Sequence, residues 1–328
     1  MFGSGSGRPQ VRGKGSMVDI IQLHDAKAQN GESPVWKNEE SALYWTDIYA
    51  QRLHRYDALT GARREWSLVE RLASFAFCEG GDDSGEVGGM AGSFHSGFAL
   101  FNPFKGTRTW ISRPLLEDKR VYFNDGRCDR SGLAYWTGST DVSKKEGSGG
   151  LYRFGADGSC RRMVDGIISS NGIAFSPDNR TLYYADTRSY VIVQFDHDPA
   201  TGHLANRRVF VDIGEKGGFA DGSAVDAEGH YWNARVHRGT IIRYRPDGTV
   251  EREIEVPTQA PTMVAFGGAD LRTMYITSGC RPLSPEQLAR ETQAGSLFSM
   301  RVDVPGLPEP RFRPQPSLLA RPSEPLLA

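Results

Sequence analysis

The sequence predicts an all-β fold: a six-bladed β-propeller of four-stranded antiparallel blades around a central channel. Three observations carry that expectation. Short apolar strands alternate with turn signals of the D-x-x-G, S-P-D-N and G-G-A-D kinds. The pattern returns about every 45 residues, the period of a propeller blade. Amphipathic helices are nearly missing, and only SPEQLARETQ (284–293) reads as a helical turn or two, with Ser284 as its N-cap.

The units align on a leading tyrosine: Tyr44, Tyr135, Tyr183, Tyr231 and Tyr275, spaced 91, 48, 48 and 44 residues apart. The first interval is about twice the others, so a blade without the tyrosine is expected inside it. The segment GGMAGSFHSGFALFNPFKGT, starting at Gly88, falls where that blade is needed. A β-sandwich with fortuitous spacing is the alternative, and it leaves the repeat unexplained. The segment VDIIQLH (18–24) precedes the first blade and is expected to close the ring on the last one.

Composition sets the outer limits. With 328 residues the chain can bury an ample core without disulfides or a structural metal. Charge is balanced, 39 Lys+Arg against 40 Asp+Glu, and no basic block occurs, which argues against a nucleic-acid partner. No apolar run is long enough for a membrane span. Cys78, Cys128, Cys160 and Cys280 lie far apart without a CxxC pair and read as reduced thiols of a cytoplasmic protein. The expected division is a Gly/Ser-rich leader or tag over 1–16, one propeller domain over 17–304, and a Pro-rich tail over 305–328. That tail reads as extended or disordered and outside the fold, and as dispensable beyond about residue 312.

Candidate site residues emerge from the blade register. In a propeller the first strand of each blade lines the axis, so matching positions of different blades meet at one mouth. Glu32 stands 12 residues before Tyr44, Asn124 11 before Tyr135, Asn171 12 before Tyr183 and Asp221 10 before Tyr231. Ser74 and Thr262 fall near the same position in the other two blades. Such a ring of oxygen donors suits a hard divalent cation. Each member has a plainer reading, since Asn-Gly and Asp-Gly are common turn dipeptides. Turn residues, however, would scatter along the repeat, and these coincide. No GxSxG, HExxH, GxGxxG or Walker sequence offers a rival chemistry. His237 is the one histidine on a loop that could face the mouth.

The stretches GESPVW, FNDGRCDRSG, SNGIAFSPDNRTLYYADT, ADGSAVDAEGHYWNARV and FGGADLRTMYITS, in that order over about residues 18–304, resemble the senescence-marker-protein/gluconolactonase family of regucalcin-like sugar lactonases. The resemblance implies a six-bladed propeller with one divalent metal at the axial mouth, held by Glu32, Asn171 and Asp221. It also implies substrate binding by Asn124. The chain departs from the family at Tyr122, where sugar-lactone binders commonly carry arginine. A tyrosine offers one hydroxyl and an apolar face, so a less polar lactone is one expectation. Arg235 and Arg281, on loops expected to face the mouth, are candidates to compensate. The acid that some members supply after the next strand is not clearly matched; Asp141, with Val142 beside it, is nearest.

The function so implied is metal-dependent hydrolysis of a sugar-type lactone in carbohydrate metabolism, by a monomer or weak homo-oligomer. The cation is one of Ca, Zn, Mn, Mg or Fe(II). Asp221 is the candidate general base, with activation of water by the cation itself as the alternative; Asn124, Tyr122 and Arg235 are expected to orient the ring. Alternatives are phosphotriester hydrolysis at the same site, a non-enzymatic calcium-binding regulator, and an interaction propeller without chemistry.

Overall fold

The computed structural model describes residues 19–80, 89–214 and 217–328; the expected leader, residues 1–16, lies outside them. Six antiparallel sheets follow one another in chain order. Their innermost strands are Gly31–Lys37, Leu72–Phe77, Val121–Cys128, Ser170–Phe175, Phe219–Val225 and Pro261–Gly267, in blades 1 to 6. Each touches the innermost strand of the next blade, and blade 6 touches blade 1, so the ring is closed. Ile21–His24 supplies the outer strand of blade 6 by pairing with Leu297–Arg301, Ile21 opposite Ser299. One blade is thus built from both ends of the propeller, as the position of VDIIQLH led us to expect. The tyrosine-free segment forms blade 2, with Met90–Phe94 and Gly97–Asn102 as its middle strands.

The core lies between blades, because each sheet has apolar residues on both faces. Trp136 and Leu151 of blade 3 pack with Phe175, Leu182 and Tyr184 of blade 4. Trp232 and Ile241 of blade 5 pack with Val264, Met274 and Ile276 of blade 6. Burying one such side chain is worth roughly 1.5–3 kcal/mol, so stacking neighbours is what stabilises each sheet. The short helix Pro285–Leu288 is capped by Ser284 in a reciprocal capping box with Gln287. All four cysteines are free. Among the described residues no helix is long and apolar enough to cross a membrane.

Residues 305–328 depart from expectation. They are largely extended, but they pack on the ring instead of leaving it. The backbone bonds to Ala227, Leu271, Glu79 and Gly132 in turn, crossing the face opposite the loops that carry Tyr49, Lys144 and Arg281. Glu309 forms an ion pair there with Arg127 of the innermost strand of blade 3. Phe312, Leu318 and Leu326 are buried, and Glu324–Pro325 adds a fifth strand to blade 2. The physical reason is spacing: a few widely separated apolar anchors suffice to dock a segment whose average composition is polar and proline-rich. Leu326→Ala is therefore expected to cost about 2–5 kcal/mol of unfolding free energy. A denaturant midpoint unchanged from wild type would show that the tail is dispensable after all.

Candidate active site

All six innermost strands are irregular at the same place. Their pairing with the second strand shifts between Glu32 and Val35, Leu72 and Ser74, Phe123 and Gly126, Asn171 and Ala174, Ala220 and Ser223, and Pro261 and Met263. A bulge of this kind re-aims side chains out of the pleat. The bulges hold Glu32, Ser74, Asn124, Asn171, Asp221 and Thr262, the positions singled out by repeat register. None of the Asx-Gly pairs in these bulges is a hairpin turn. Only Gly172 has positive φ, at 62°, and a Cβ there would sit 2.5 Å from the Tyr231 hydroxyl. Gly222 is required instead by closeness, since a Cβ would overlap Met263 of the next blade.

Hydrogen bonds between blades fix these bulges around the axis. Thr262 Oγ1 donates to the Gly31 carbonyl. The Phe75 N–H donates to Ser33 Oγ at 3.1 Å, and Ser74 Oγ donates to the Asn124 carbonyl at 3.1 Å. Asn124 Nδ2 donates to the Ser170 carbonyl at 2.8 Å and to Asn171 Oδ1 at 3.0 Å. Asn171 Nδ2 donates to Thr187 Oγ1 at 2.7 Å, and that hydroxyl donates to the Ala220 carbonyl at 2.7 Å. Both nitrogens of this asparagine pair are committed to the scaffold, which orients Asn171 with its oxygen toward Asn124. Asn124 and Asn171 are in direct contact, and the acids lie within electrostatic reach of one another.

Glu32, Asp125 and Asp221 form an acidic floor. Burial first, then the charges of Asp221 and Asp125, push the Glu32 carboxyl well above its ordinary range. Burial and Asp125 raise Asp221 likewise, with Lys144 partly offsetting them. Asp125 is also raised by burial, partly offset by N–H donors and by Arg127. Its Oδ2 accepts from the Ile173 N–H at 2.9 Å, while its buried Oδ1 has no hydrogen-bond partner among the described residues. Sequence reasoning missed Asp125, although it is the middle residue of the N-D-G triplet that supplied Asn124.

Of the remaining candidates, Tyr122 faces the mouth. Its ring stacks on His95 with centroids 5.6 Å apart, and its hydroxyl accepts from Lys144 Nζ at 2.9 Å. Lys144 was not foreseen. Its loop is folded by Asp141, which accepts from the Ser143 N–H (2.7 Å), Ser143 Oγ (2.6 Å) and the Ser148 N–H (3.0 Å). Asp141 is buried, which alone would raise its carboxyl, but those donors outweigh burial and hold it at about 2. It shapes the loop; its oxygens are occupied within it. Arg235 is not brought to the acids. It is 1 % exposed between blades 4 and 5, donates to the Tyr244 hydroxyl and lies over that ring. Strand alternation explains this, because Arg235 shares the face of Tyr231 and Asn233, which turns toward blade 4. His237 lies against Phe219 at the rim, with centroids 5.4 Å apart, and burial with Arg188 nearby lowers its pKa.

The donor set fits a hard divalent cation. Among the described residues no three acidic, histidine or cysteine side chains cluster to hold a metal; the carboxylates of Glu32 and Asp221 and the amide oxygen of Asn171 are donors of the kind a hard cation takes. Buried carboxylates that raise one another's pKa values lack positive charge, which a cation would supply. A cavity of about 750 Å³ between the outer parts of blades 1 and 6, lined by Trp36, Tyr56 and Tyr275, shares no residue with this site.

Fold and site define a six-bladed propeller with an acidic, oxygen-rich axial mouth. Residues 30–280 match the family described as the SMP-30/Gluconolactonase/LRE-like region, and the chain belongs to that family. It is 38 % identical over 283 residues to a 6-deoxy-6-sulfogluconolactonase of Pseudomonas putida, covering 86 % of this chain and 94 % of the relative. It is 32 % identical to pentonolactonase XacC of Haloferax volcanii, covering 90 % and 98 %. Among solved structures, a calcium-binding protein, regucalcin, from Agrobacterium tumefaciens superposes with a TM-score of 0.84 at 28 % identity, covering 90 % and 98 %.

Proposed function

We propose that this protein is a metal-dependent hydrolase of sugar-type lactones, a carboxylic-ester hydrolase that opens the ring with water. The observation that supports the reading is that Glu32, Asn171 and Asp221 each lie at the bulge of an innermost strand, in three different blades. The two relatives named for lactonase activity support it, and the regucalcin neighbour makes calcium the first cation to try. A cytoplasmic location and a small-molecule partner go with this reading.

Glu32, Asn171 and Asp221 would hold the cation, which polarises the lactone carbonyl when bound and stabilises the charge that develops on its oxygen. The chain's own residues do the rest. Asp221 takes the proton of the attacking water on a carboxylate oxygen. Asn124, fixed by both donors, turns its Oδ1 to a ring hydroxyl. Tyr122, stacked on His95, helps to orient the ring. Asp125 sits behind the site and orders the chain at Ile173.

The reaction class is tested by following proton release from panels of lactones and phosphotriesters with metal-replete protein. Saturable opening of sugar lactones with little turnover of phosphotriesters is expected. Turnover of phosphotriesters alone would move the site to phosphoryl chemistry, and no turnover of either would leave only a binding role.

A further inference from the structure

Above the acidic floor stands a ring of cations that form no ion pair among the described residues. Lys144 lies over Tyr122, its Nζ 5.2 Å from the ring centroid as well as bonded to the hydroxyl. Arg281 and Arg71 both lie against the Tyr49 ring, with guanidinium carbons 3.8 and 4.6 Å from its centroid. Arg188 lies over Phe219 at 4.7 Å. They come from blades 3, 6, 2 and 4, yet Lys144 senses Arg188, Arg281 and Asp221 together. All four therefore overlook one opening.

The acids nearest the rim are committed elsewhere. Asp141 folds the Lys144 loop. Asp186 accepts from the Ile168 and Ser169 N–H groups, and Asp47 from those of Gln29 and Asn30. Glu291 accepts from Thr258 and Gln259. Glu70, the acid closest to Arg71 in sequence, is paired with Arg108. Among the described residues Arg71, Lys144, Arg188 and Arg281 have aromatic or hydroxyl partners and no ion pair. Like charges gathered over a partly desolvated opening repel one another, and an anion relieves that repulsion. Two guanidiniums against one tyrosine bring two sets of N–H donors to that ring, and a guanidinium is suited to receiving an oxyanion.

We infer that the substrate is a lactone bearing a strongly anionic substituent (sulfonate, phosphate or carboxylate) remote from the ring carbonyl, received by Lys144 and Arg281 with Arg71 and Arg188 flanking them. Lys144 puts positive charge on Tyr122, the position at which the resemblance implied its loss, so the pocket is more polar than a tyrosine there suggests. The inference rests on the lactonase reading and names the substrate class for the same site.

Its test compares glucono-1,5-lactone with its 6-phosphate and 6-sulfo counterparts in metal-replete wild type, Arg281→Gln and Lys144→Met. Wild type is expected to favour the anionic lactones in kcat/KM by at least about tenfold, the scale of one charge-assisted hydrogen bond. In Arg281→Gln, a change at an exposed residue, that preference should fall about tenfold, mainly through KM, and 0.5 M salt should erode it in wild type. Equal kcat/KM for neutral and anionic lactones in wild type, or a preference unmoved in both variants, overturns the inference while leaving lactone hydrolysis intact. Should wild type open no lactone, the hydrolase reading fails on its own. Calorimetry with 6-phosphogluconate against gluconate then still reads the rim: tighter binding of the phosphate, lost in Arg281→Gln, supports it, and equal binding overturns it.

Discussion

Asp221→Asn is expected to fold, to take up metal, and to lose at least about a hundredfold in kcat, since a positioned general base typically contributes about 10²–10⁴-fold. The substitution keeps an oxygen in place and leaves the bulge between Ala220 and Ser223, where the Asp221 carbonyl accepts from Asn233 Nδ2 at 2.7 Å. What it removes is one negative charge and the basic oxygen. A metal-loaded Asp221→Asn protein with near-normal kcat would assign proton transfer elsewhere.

Glu32→Gln should separate metal binding from folding. At neutral pH the metal-free wild type buries three mutually repelling carboxyls, so removing one charge should raise the melting temperature of the metal-free protein. With metal the order should reverse, because the variant offers a neutral oxygen in place of a charged ligand. Metal affinity is expected to fall at least about a hundredfold, beyond the 10–100-fold typical of losing an outer partner of a ligand. Calorimetric melting with and without metal reads both effects. Melting curves that keep the same order in both states would remove Glu32 from the metal site.

Most of the fold was legible because its information is periodic. Five leading tyrosines set the blade interval, and a doubled first interval located the blade that lacks one. The same period found Glu32, Asn124, Asn171 and Asp221, since equal register means equal distance from the bulge of each innermost strand. Departures from the period were harder to read. Asp125 was hidden beside Asn124, where a bulge makes two successive residues count. Lys144 reaches the mouth only because Asp141 folds its loop back, with Lys144 itself at φ 59°, a local conformation that no repeat encodes. Arg235 could have been placed by strand alternation, which sets it on the face of Tyr231. The packing of Phe312, Leu318 and Leu326 escaped notice because composition averages over a segment, whereas docking depends on a few side chains.

The most direct test of the central claim is the rate of lactone opening by wild-type protein that has been stripped with chelator and then titrated with a single divalent cation. The account predicts a rate near background in the stripped protein, restored saturably by about one equivalent of metal, as expected for Lewis-acid activation at one site. Full activity in the stripped protein would contradict it.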